Sequence, residues 1–382
     1  MFGISFAHKG NRRVAVADIG SASAGVAIVS LTKGKPARIE ALHRVTLPIE
    51  ERSQEQSIAG ITSALSEATT KVLEAGKTLG PVQSVHAVIR EPWVRSKTIR
   101  AVKKFPKDER VGKELIAQLA REALASETEF NHANLIEANV VRVELNGYPT
   151  AEPVGKEAHS VFVSAVVSEC EPRIKSAVEE ALARAFSSKT TCRSGTSALL
   201  SVLRERSRTH TDYLVLNMTG SATSMFVVHK GAPLEHVQIP EGTQTILKRV
   251  AGNKMPEETL SLIRMLAREQ CEDAACDEIQ AGMAKTEQEL IRIFGEAIAK
   301  LAATQRLPNS MVLAIEPDLA HWFTSFFSRI DFTQFTITAQ PFMVEVLAPE
   351  HLNALVELSP HQNIDIGLMT AVGLVNSEPE SA

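Results

Sequence analysis

Residues 14–26 read VAVADIGSASAGV, and this stretch decides the fold. Two β-rich runs, 14–17 and 26–31, flank a turn made of glycine, serine and alanine. Small residues in a turn between paired strands let backbone amides come close to an anionic ligand. Residues 38–47 form a further β-rich run, so we expect the chain to begin with three consecutive strands.

A second run of three strands is predicted in the C-terminal half, at residues 213–217, 223–230 and 233–240. In both runs the first strand ends in a polar residue, Asp18 or Asn217. A tight turn with a glycine, Gly20 or Gly220, follows that residue. A repeated module of this kind predicts two similar domains that face each other.

The other segments alternate between helical and strand-like patterns, as is typical of α/β proteins. Helical spacing of apolar residues is found at 54–75, 171–185, 195–204, 257–301 and 320–329. Further strands are predicted at 85–89, 311–315 and 335–338. A separate strand–helix–strand–strand unit is predicted from the patterns at 95–107, 112–125, 138–145 and 159–168.

Composition restricts the function independently of any motif. The chain has 382 residues, 44% of them apolar, and a formal net charge of −4, which predicts at least two domains and argues against nucleic acid as a partner. No apolar run reaches the roughly 20 residues of a membrane helix, and residues 1–7 do not resemble a signal peptide. We therefore expect a cytoplasmic protein. The spacing of its four cysteines indicates neither a zinc site nor a disulfide framework.

Residues 14–26 resemble the first phosphate loop of the actin-like ATPase superfamily, most closely that of the PilM and FtsA families. The unit at 91–168 is similar to the extra subdomain of these two families, including NGYPT at 146–150 and PVGK at 153–156. The resemblance implies an α/β, actin-like (RNase H-like) two-lobed fold. It has two related mixed-sheet domains, an inserted strand–helix–strand–strand subdomain and a helical subdomain.

Domain bounds follow from the same resemblance. The first actin-like domain is expected at residues 1–90 and 169–207, with the inserted subdomain at 91–168. The second is expected at 208–256 and 304–382, with the helical subdomain at 257–303.

The resemblance also implies a nucleotide site between the lobes, with ATP and magnesium as its ligands. Hydroxyl groups of Ser21 and Ser23 can donate to phosphate oxygens, and Asp18 can hold magnesium through water. The residues to which the resemblance assigns nucleotide binding are Asp18, Gly20, Ser21, Ser23, Gly25, Asn217, Gly220, Ser221, Thr223, Gly242 and Glu316.

Three parts of this predicted site depart from the family pattern. The second loop has Asn217 and Ser224 where related ATPases have aspartates, and phosphoryl transfer depends on carboxylates that hold magnesium and orient water. Only Gly242 of a usual glycine pair is present at 239–243. Residues 314–318 (AIEPD) replace a glycine-rich turn, where Glu316 can bind a ribose hydroxyl or Asp318 can cap the next helix.

Two functional classes remain open. One is a PilM-like scaffold of type IV pilus assembly, a pseudo-ATPase that binds the cytoplasmic tail of a membrane protein or a cytoskeletal protein. The other is an active FtsA-like ATPase of cell division that forms filaments. The acidic, proline-containing sequence at 376–382 argues against an amphipathic membrane anchor. The predicted partner-binding residues are Arg95, Arg100, Asn146, Tyr148 and Lys156.

Overall fold

The structure is a computed structural model and describes residues 12–206, 212–271, 274–303, 305–359 and 363–378. The predictions for residues 1–7 and for the end of the 376–382 tail lie outside this range. The N-terminal half contains β1 (Arg12–Ile19), β2 (Ser23–Leu31), β3 (Ala37–Thr46), α1 (Gln54–Ala75), β4 (Ser84–Ile89), β5 (Val94–Arg110), α2 (Lys113–Ala125), β6 (Leu135–Leu145), β7 (Tyr148–Pro149), β8 (Glu157–Cys170), α3 (Pro172–Phe186), β9 (Thr190–Ser194) and α4 (Gly195–Arg206).

The C-terminal half continues the alternation of strands and helices. It contains β10 (Tyr213–Met218), β11 (Thr223–His229), β12 (Ala232–Ile239), α5 (Thr243–Ala251), α6 (Pro256–Ala267), α7 (Ala274–Ala302), β13 (Ser310–Ala314), α8 (Pro317–Arg329), β14 (Met343–Val346), β15 (Val356–Leu358) and α9 (Ile366–Ser377).

These strands form two related mixed sheets and one antiparallel sheet. The first sheet has the order β15-β3-β2-β1-β4-β9, and the second has the order β12-β11-β10-β13-β14. In each sheet an antiparallel run of three strands is extended by parallel strands. The parallel strand β4 pairs with β1 in the first sheet, and the parallel strand β13 pairs with β10 in the second. The predicted α/β class with two related mixed sheets is confirmed.

Both mixed sheets are covered on both faces, which explains why their central strands are almost entirely apolar. Val14 and Val16 of β1 face a core shared with α4, α9 and the second sheet. Ala15 and Ala17, which alternate with them, face α1 and α3. The outer face of the second sheet packs against α5, α6, α7 and α8. The two lobes are therefore joined through a central layer formed by α4 and α9.

The third sheet, with the order β5-β8-β6-β7, belongs to the inserted subdomain. Helix α2 covers one face of it, through a small core that includes Leu119, Val161 and Val163. The predicted strand–helix–strand–strand order is present in this part of the chain.

The C-terminal segment crosses back to the first lobe. Strand β15 pairs with β3 of the first sheet, and α9 packs against α4 in the shared core, although the predicted bounds assign this segment to the second domain. The predicted domain bounds stay a prediction, although β15, which they assign to the second domain, pairs with a strand of the first sheet.

Two local predictions were wrong. Residues 333–335 form a short 3-10 turn, and the predicted strand at 335–338 lies instead at β14. Cys271, in the loop after α6, and Cys276, in the first turn of α7, form a disulfide, whereas the spacing of this lone cysteine pair indicates no disulfide framework. Cys170 and Cys192 are buried free thiols.

Candidate functional site

A cleft of about 620 Å³ lies between the two lobes. Seven of the predicted nucleotide-binding residues line it, namely Asp18, Gly20, Ser21, Ser23, Asn217, Gly220 and Glu316. Gly25, Ser221, Thr223 and Gly242 do not belong to its lining. Most of the predicted residues thus converge on one cleft, but the side chains of Asp18, Ser21, Ser23 and Asn217 are engaged in contacts within the protein.

Asp18, at the end of β1, is bound by two arginines. Arg44 Nη2 donates to its Oδ2 atom at 2.6 Å, and Arg90 Nε donates to its Oδ1 atom. Burial would raise the pKa of Asp18, but the charges of Arg90 and Arg44 outweigh it and hold the pKa below its ordinary value. Asp18 is therefore an ionised carboxylate whose charge is neutralised by its own neighbours.

Arg44 reaches Asp18 because the strand between them carries a glycine. Asp18 on β1 is paired with Gly25 on β2, and Gly25 is paired with Arg44 on β3. A Cβ atom at Gly25 would lie 3.0 Å from Cζ of Arg44. The absence of a side chain at this position lets the guanidinium pass over β2.

The same guanidinium binds the start of the last helix. Arg44 Nε donates to Asp365 Oδ2 at 2.6 Å, and Arg44 Nη1 donates to Ser23 Oγ at 2.8 Å. Asp365 is the N-cap of α9 and accepts from the backbone N–H of Leu368 at 2.9 Å. Burial would lower the pKa of Arg44, but Asp365 and Asp18 raise it above its ordinary value. One arginine therefore joins β1, β2 and α9 at the base of the cleft.

These contacts decide how well a magnesium ion fits. A metal at Asp18 would have to displace the guanidinium groups of Arg44 and Arg90 from a buried carboxylate. The neighbouring carboxylate of Asp365 is likewise bound to Arg44. The present arrangement does not favour the magnesium role of Asp18, which stays a prediction.

The two glycine-containing loops touch each other across the cleft. The backbone N–H of Ser221 donates to Ser21 Oγ at 3.0 Å. A Cβ atom at Gly220 would lie 2.5 Å from Cβ of Ala22, so the loops pack directly against each other. A phosphate group placed between them would need the lobes to separate.

The second loop is also filled by the protein's own groups. The backbone N–H groups of Thr243 and Gln244, in the first turn of α5, donate to the carbonyl oxygens of Thr219 and Gly220, both at 2.8 Å. Gly242, the N-cap of α5, packs so tightly that a Cβ atom there would lie 2.3 Å from the Thr219 oxygen. The helix amides that could bind an anion are therefore already satisfied.

A buried carboxyl group lies beside the second loop. Asn217 Nδ2 donates to Glu91 Oε2, and Thr196 Oγ1 donates to Glu91 Oε1, both at 3.2 Å. Glu91 is fully buried, and burial raises its pKa above the ordinary value. Asn217 therefore binds a carboxyl group of the first lobe. Thr223, a further predicted residue, donates to the Glu241 carbonyl oxygen at 2.6 Å.

Residues 315–318 form the opposite wall of the cleft. Helix α8 begins at Pro317, and its N-cap is Glu316 rather than Asp318, so the capping role predicted for Asp318 was wrong. Asp318 instead accepts from Arg264 Nη2 at 2.6 Å. Glu316 is exposed and lines the cleft, and desolvation of its carboxyl group raises its pKa above the ordinary value.

Most of the predicted partner-binding residues have structural contacts. Arg95 pairs with Glu169 and lies over the ring of Phe130. Asn146 Oδ1 accepts from the backbone N–H groups of His159 and Ser160 at 3.0 and 3.1 Å.

The remaining three predicted partner-binding residues differ in their surroundings. Arg100 donates to the carbonyl oxygen of Leu234 at 2.6 Å, and Lys156 donates to Thr150 Oγ1 at 3.0 Å. Tyr148 has 76% of its surface exposed.

Sequence reasoning missed Arg44, Arg90, Glu91 and Asp365. Residues 90 and 91 directly follow β4, which runs parallel to β1, and residues that follow neighbouring parallel strands meet at the same sheet edge. That rule could have placed Arg90 beside Asp18. No local pattern connects Asp365 with Arg44, since 321 residues separate them.

The comparison with solved structures agrees with this architecture. A chain of the "PilM-PilN type IV pilus biogenesis complex" matches with a TM-score of 0.61 and 16% identity, over 96% of this chain and 99% of that one. The ethanolamine utilization protein EutJ from Carboxydothermus hydrogenoformans matches with a TM-score of 0.45 and 14% identity, over 97% and 91%. A Bacteroides thetaiotaomicron protein described as having an actin-like ATPase fold matches with a TM-score of 0.40 and 8% identity, over 97% and 99%.

No protein-family model and no curated protein matches the sequence. Among the helices in the described ranges, none combines the length and the apolar character needed to cross a membrane. The two mixed sheets, the central helices and the inserted subdomain give this chain the two-lobed actin-like ATPase fold, similar over nearly its whole length to the chain from the PilM–PilN complex.

Proposed function

We propose that this chain is a PilM-like scaffold of a membrane-associated assembly machine, in type IV pilus assembly, and that its cleft has lost or weakened nucleotide binding. In this proposal it is cytoplasmic and binds the cytoplasmic peptide tail of a membrane protein. The structural similarity to a chain of the "PilM-PilN type IV pilus biogenesis complex" supports this function.

The contacts of Asp18 are the observation that carries the proposal. Asp18 and Asp365 contribute two negative charges at the base of the cleft, and Arg44 and Arg90 cancel them. A nucleotide triphosphate with magnesium would have to break these buried ion pairs, and replacing partners of buried charges is costly. The direct contact between the two loops adds to this cost.

The alternative is an FtsA-like ATPase of cell division that binds ATP and forms filaments. The remaining cleft volume favours this alternative, since about 620 Å³ lies within the range of small-molecule sites. Binding of ATP would then require the two glycine-containing loops to separate. A titration with magnesium and ATP separates the two functions.

The partner surface is proposed on the inserted subdomain, along the edge strand β5 and, at the opposite edge of the same sheet, at the hairpin whose strand β7 carries Tyr148. Arg95 and Arg100 are engaged elsewhere, but Val102 is 59% exposed in the middle of β5, and Lys104 follows on the same face. An exposed apolar side chain between Arg100 and Lys104, on the edge strand of a sheet, fits an extended peptide with apolar and acidic residues.

Fluorescence anisotropy with a labelled peptide tests this surface. The probe is the cytoplasmic-tail sequence of the PilN protein of the same organism. We expect Lys104→Glu and Tyr148→Ala to weaken binding about tenfold, the loss of about 1.4 kcal/mol. Lys71→Glu, on the exposed side of α1, is the matched control and should bind like the wild type. Unchanged binding in both the Lys104→Glu and the Tyr148→Ala variant would contradict the proposed surface.

A further inference from the structure

The inserted subdomain is fixed to the first lobe through one buried carboxylate. Glu137, on β6, is 7% exposed, and its Oε1 atom accepts hydrogen bonds from Ser168 Oγ and Ser197 Oγ, both at 2.8 Å. The same atom accepts from the backbone N–H of Ser194 at 3.2 Å and from the Ser194 hydroxyl group. Ser194 ends β9 and Ser197 lies in α4, so Glu137 ties the third sheet to the first lobe.

Two arginines connect the same sheet to the second lobe. Arg100 Nη2 donates to the carbonyl oxygen of Leu234 at 2.6 Å, and Arg142 Nη1 donates to that of His229 at 3.1 Å. Both acceptors belong to the β11–β12 hairpin. Arg100 also lies within ion-pair distance of Glu235, at 3.3 Å.

The register of the third sheet places these arginines side by side on one face. Arg100 and Arg142 are both paired with Ser164, on the central strand β8. The neighbouring Val163 faces α2, and successive residues of a strand point to opposite faces. The face that is not covered by α2 is therefore the one that contacts the second lobe.

We infer that the inserted subdomain is a brace between the two lobes. Glu137 holds it on the first lobe while Arg100 and Arg142 hold the hairpin of the second lobe. It thereby stabilises the closed cleft in which Ser221 contacts Ser21. A rotation of one lobe about the central α4–α9 layer would carry the hairpin away from the arginines. Because hydrogen bonds weaken steeply with small displacements, the brace opposes this rotation.

This coupling works at a distance from the cleft and does not depend on the proposed partner. The closed cleft is held by the contact between the two glycine-containing loops and, through residues outside the cleft lining, by the brace. Loss of either set of contacts makes the open arrangement more populated, since both favour the same arrangement of the lobes.

Amide hydrogen exchange on the full chain tests the inference. The Ser221 amide is the reporter, because its N–H group donates across the cleft to Ser21 Oγ. We expect Arg100→Gln and Arg142→Gln each to accelerate exchange about threefold to tenfold at Ser221 and in residues 229–234, the effect of losing one or two hydrogen bonds.

Arg95→Gln is the matched control. Arg95 lies on the same strand as Arg100, but its partner Glu169 is on the neighbouring strand β8 of the same sheet, so this variant should change neither reporter region. Acceleration confined to residues 229–234 would overturn the brace, because it would show a local contact without coupling to the cleft. Equal acceleration by Arg95→Gln would overturn it as well.

Discussion

Arg44 donates to Asp18 at 2.6 Å across the strand that separates them. The aspartate of the first phosphate-loop motif is therefore held by an arginine two strands away. Gly25, which the motif assigns to nucleotide binding, instead makes room for that arginine. The small residues of the loop thus serve contacts within the protein.

Removal of Arg44 is predicted to destabilise the fold. Arg44→Ala leaves the buried Asp18 with one partner and Asp365 without its arginine, and breaking a buried ion pair from one side costs about 3 kcal/mol. Urea denaturation measures this loss. Arg38→Ala is the control on the same strand, because Arg38 is 52% exposed and its ion pair with Glu40 spans 3.8 Å. It should stay within about 0.5 kcal/mol of the wild type. Equal stability of both variants would contradict the role given to Arg44.

The contact between the loops predicts different effects at two glycines. A Cβ atom at Gly220 would lie 2.5 Å from Cβ of Ala22, whereas one at Gly20 would meet only the Ser23 oxygen at 3.6 Å. Gly220→Ala should therefore lower the unfolding free energy by about 1–3 kcal/mol, as overpacking does, and Gly20→Ala should leave it nearly unchanged. Thermal unfolding of the two variants decides this. A tolerated Gly220→Ala would show that the loops are not in contact.

The buried Glu91 predicts a dependence of stability on pH. Burial raises its pKa in the folded chain, so the folded state binds the proton more tightly than the unfolded state does. This contribution to stability is fully present below the unfolded pKa and is lost as the pH rises through the folded pKa. Glu91→Gln removes this titration. Its unfolding free energy relative to the wild type should therefore increase between about pH 4 and about pH 8.

Urea denaturation at the two pH values measures this difference. Glu74→Gln, at the exposed end of α1, provides the control, since its difference from the wild type should not change over the same interval. A Glu91→Gln difference that is the same at both pH values would contradict a raised pKa at Glu91.

Local patterns were sufficient to predict most of the fold. The repeated three-strand modules were visible because the first strand of each run is followed by a turn of small residues, and α1 was predicted at the residues where it occurs. The short strands β9 and β15 were missed because they have only five and three residues. Their position depends on pairing with distant strands, which a local pattern does not contain.

The candidate site was predicted only in part, for a related reason. The turns that line the cleft were found from glycine and serine. The arginines that bind Asp18 in the cleft, Arg44 on β3 and Arg90 directly after β4, were not found. Arg44 becomes a partner of Asp18 only through the register of three strands. Asn217 was identified as a departure from the family pattern, but its partner Glu91 was not, because a lone Glu-Pro sequence predicts no contact across a cleft.

The most direct test of the central claim is a calorimetric titration of the purified chain with magnesium and ATP, with phosphate release measured on the same sample. The proposed scaffold predicts no binding at millimolar ATP and no release, since the ion pairs of Asp18 and the contact between the loops oppose a bound triphosphate. Binding accompanied by phosphate release, with both abolished by Asp18→Ala, would contradict the scaffold and establish an active ATPase.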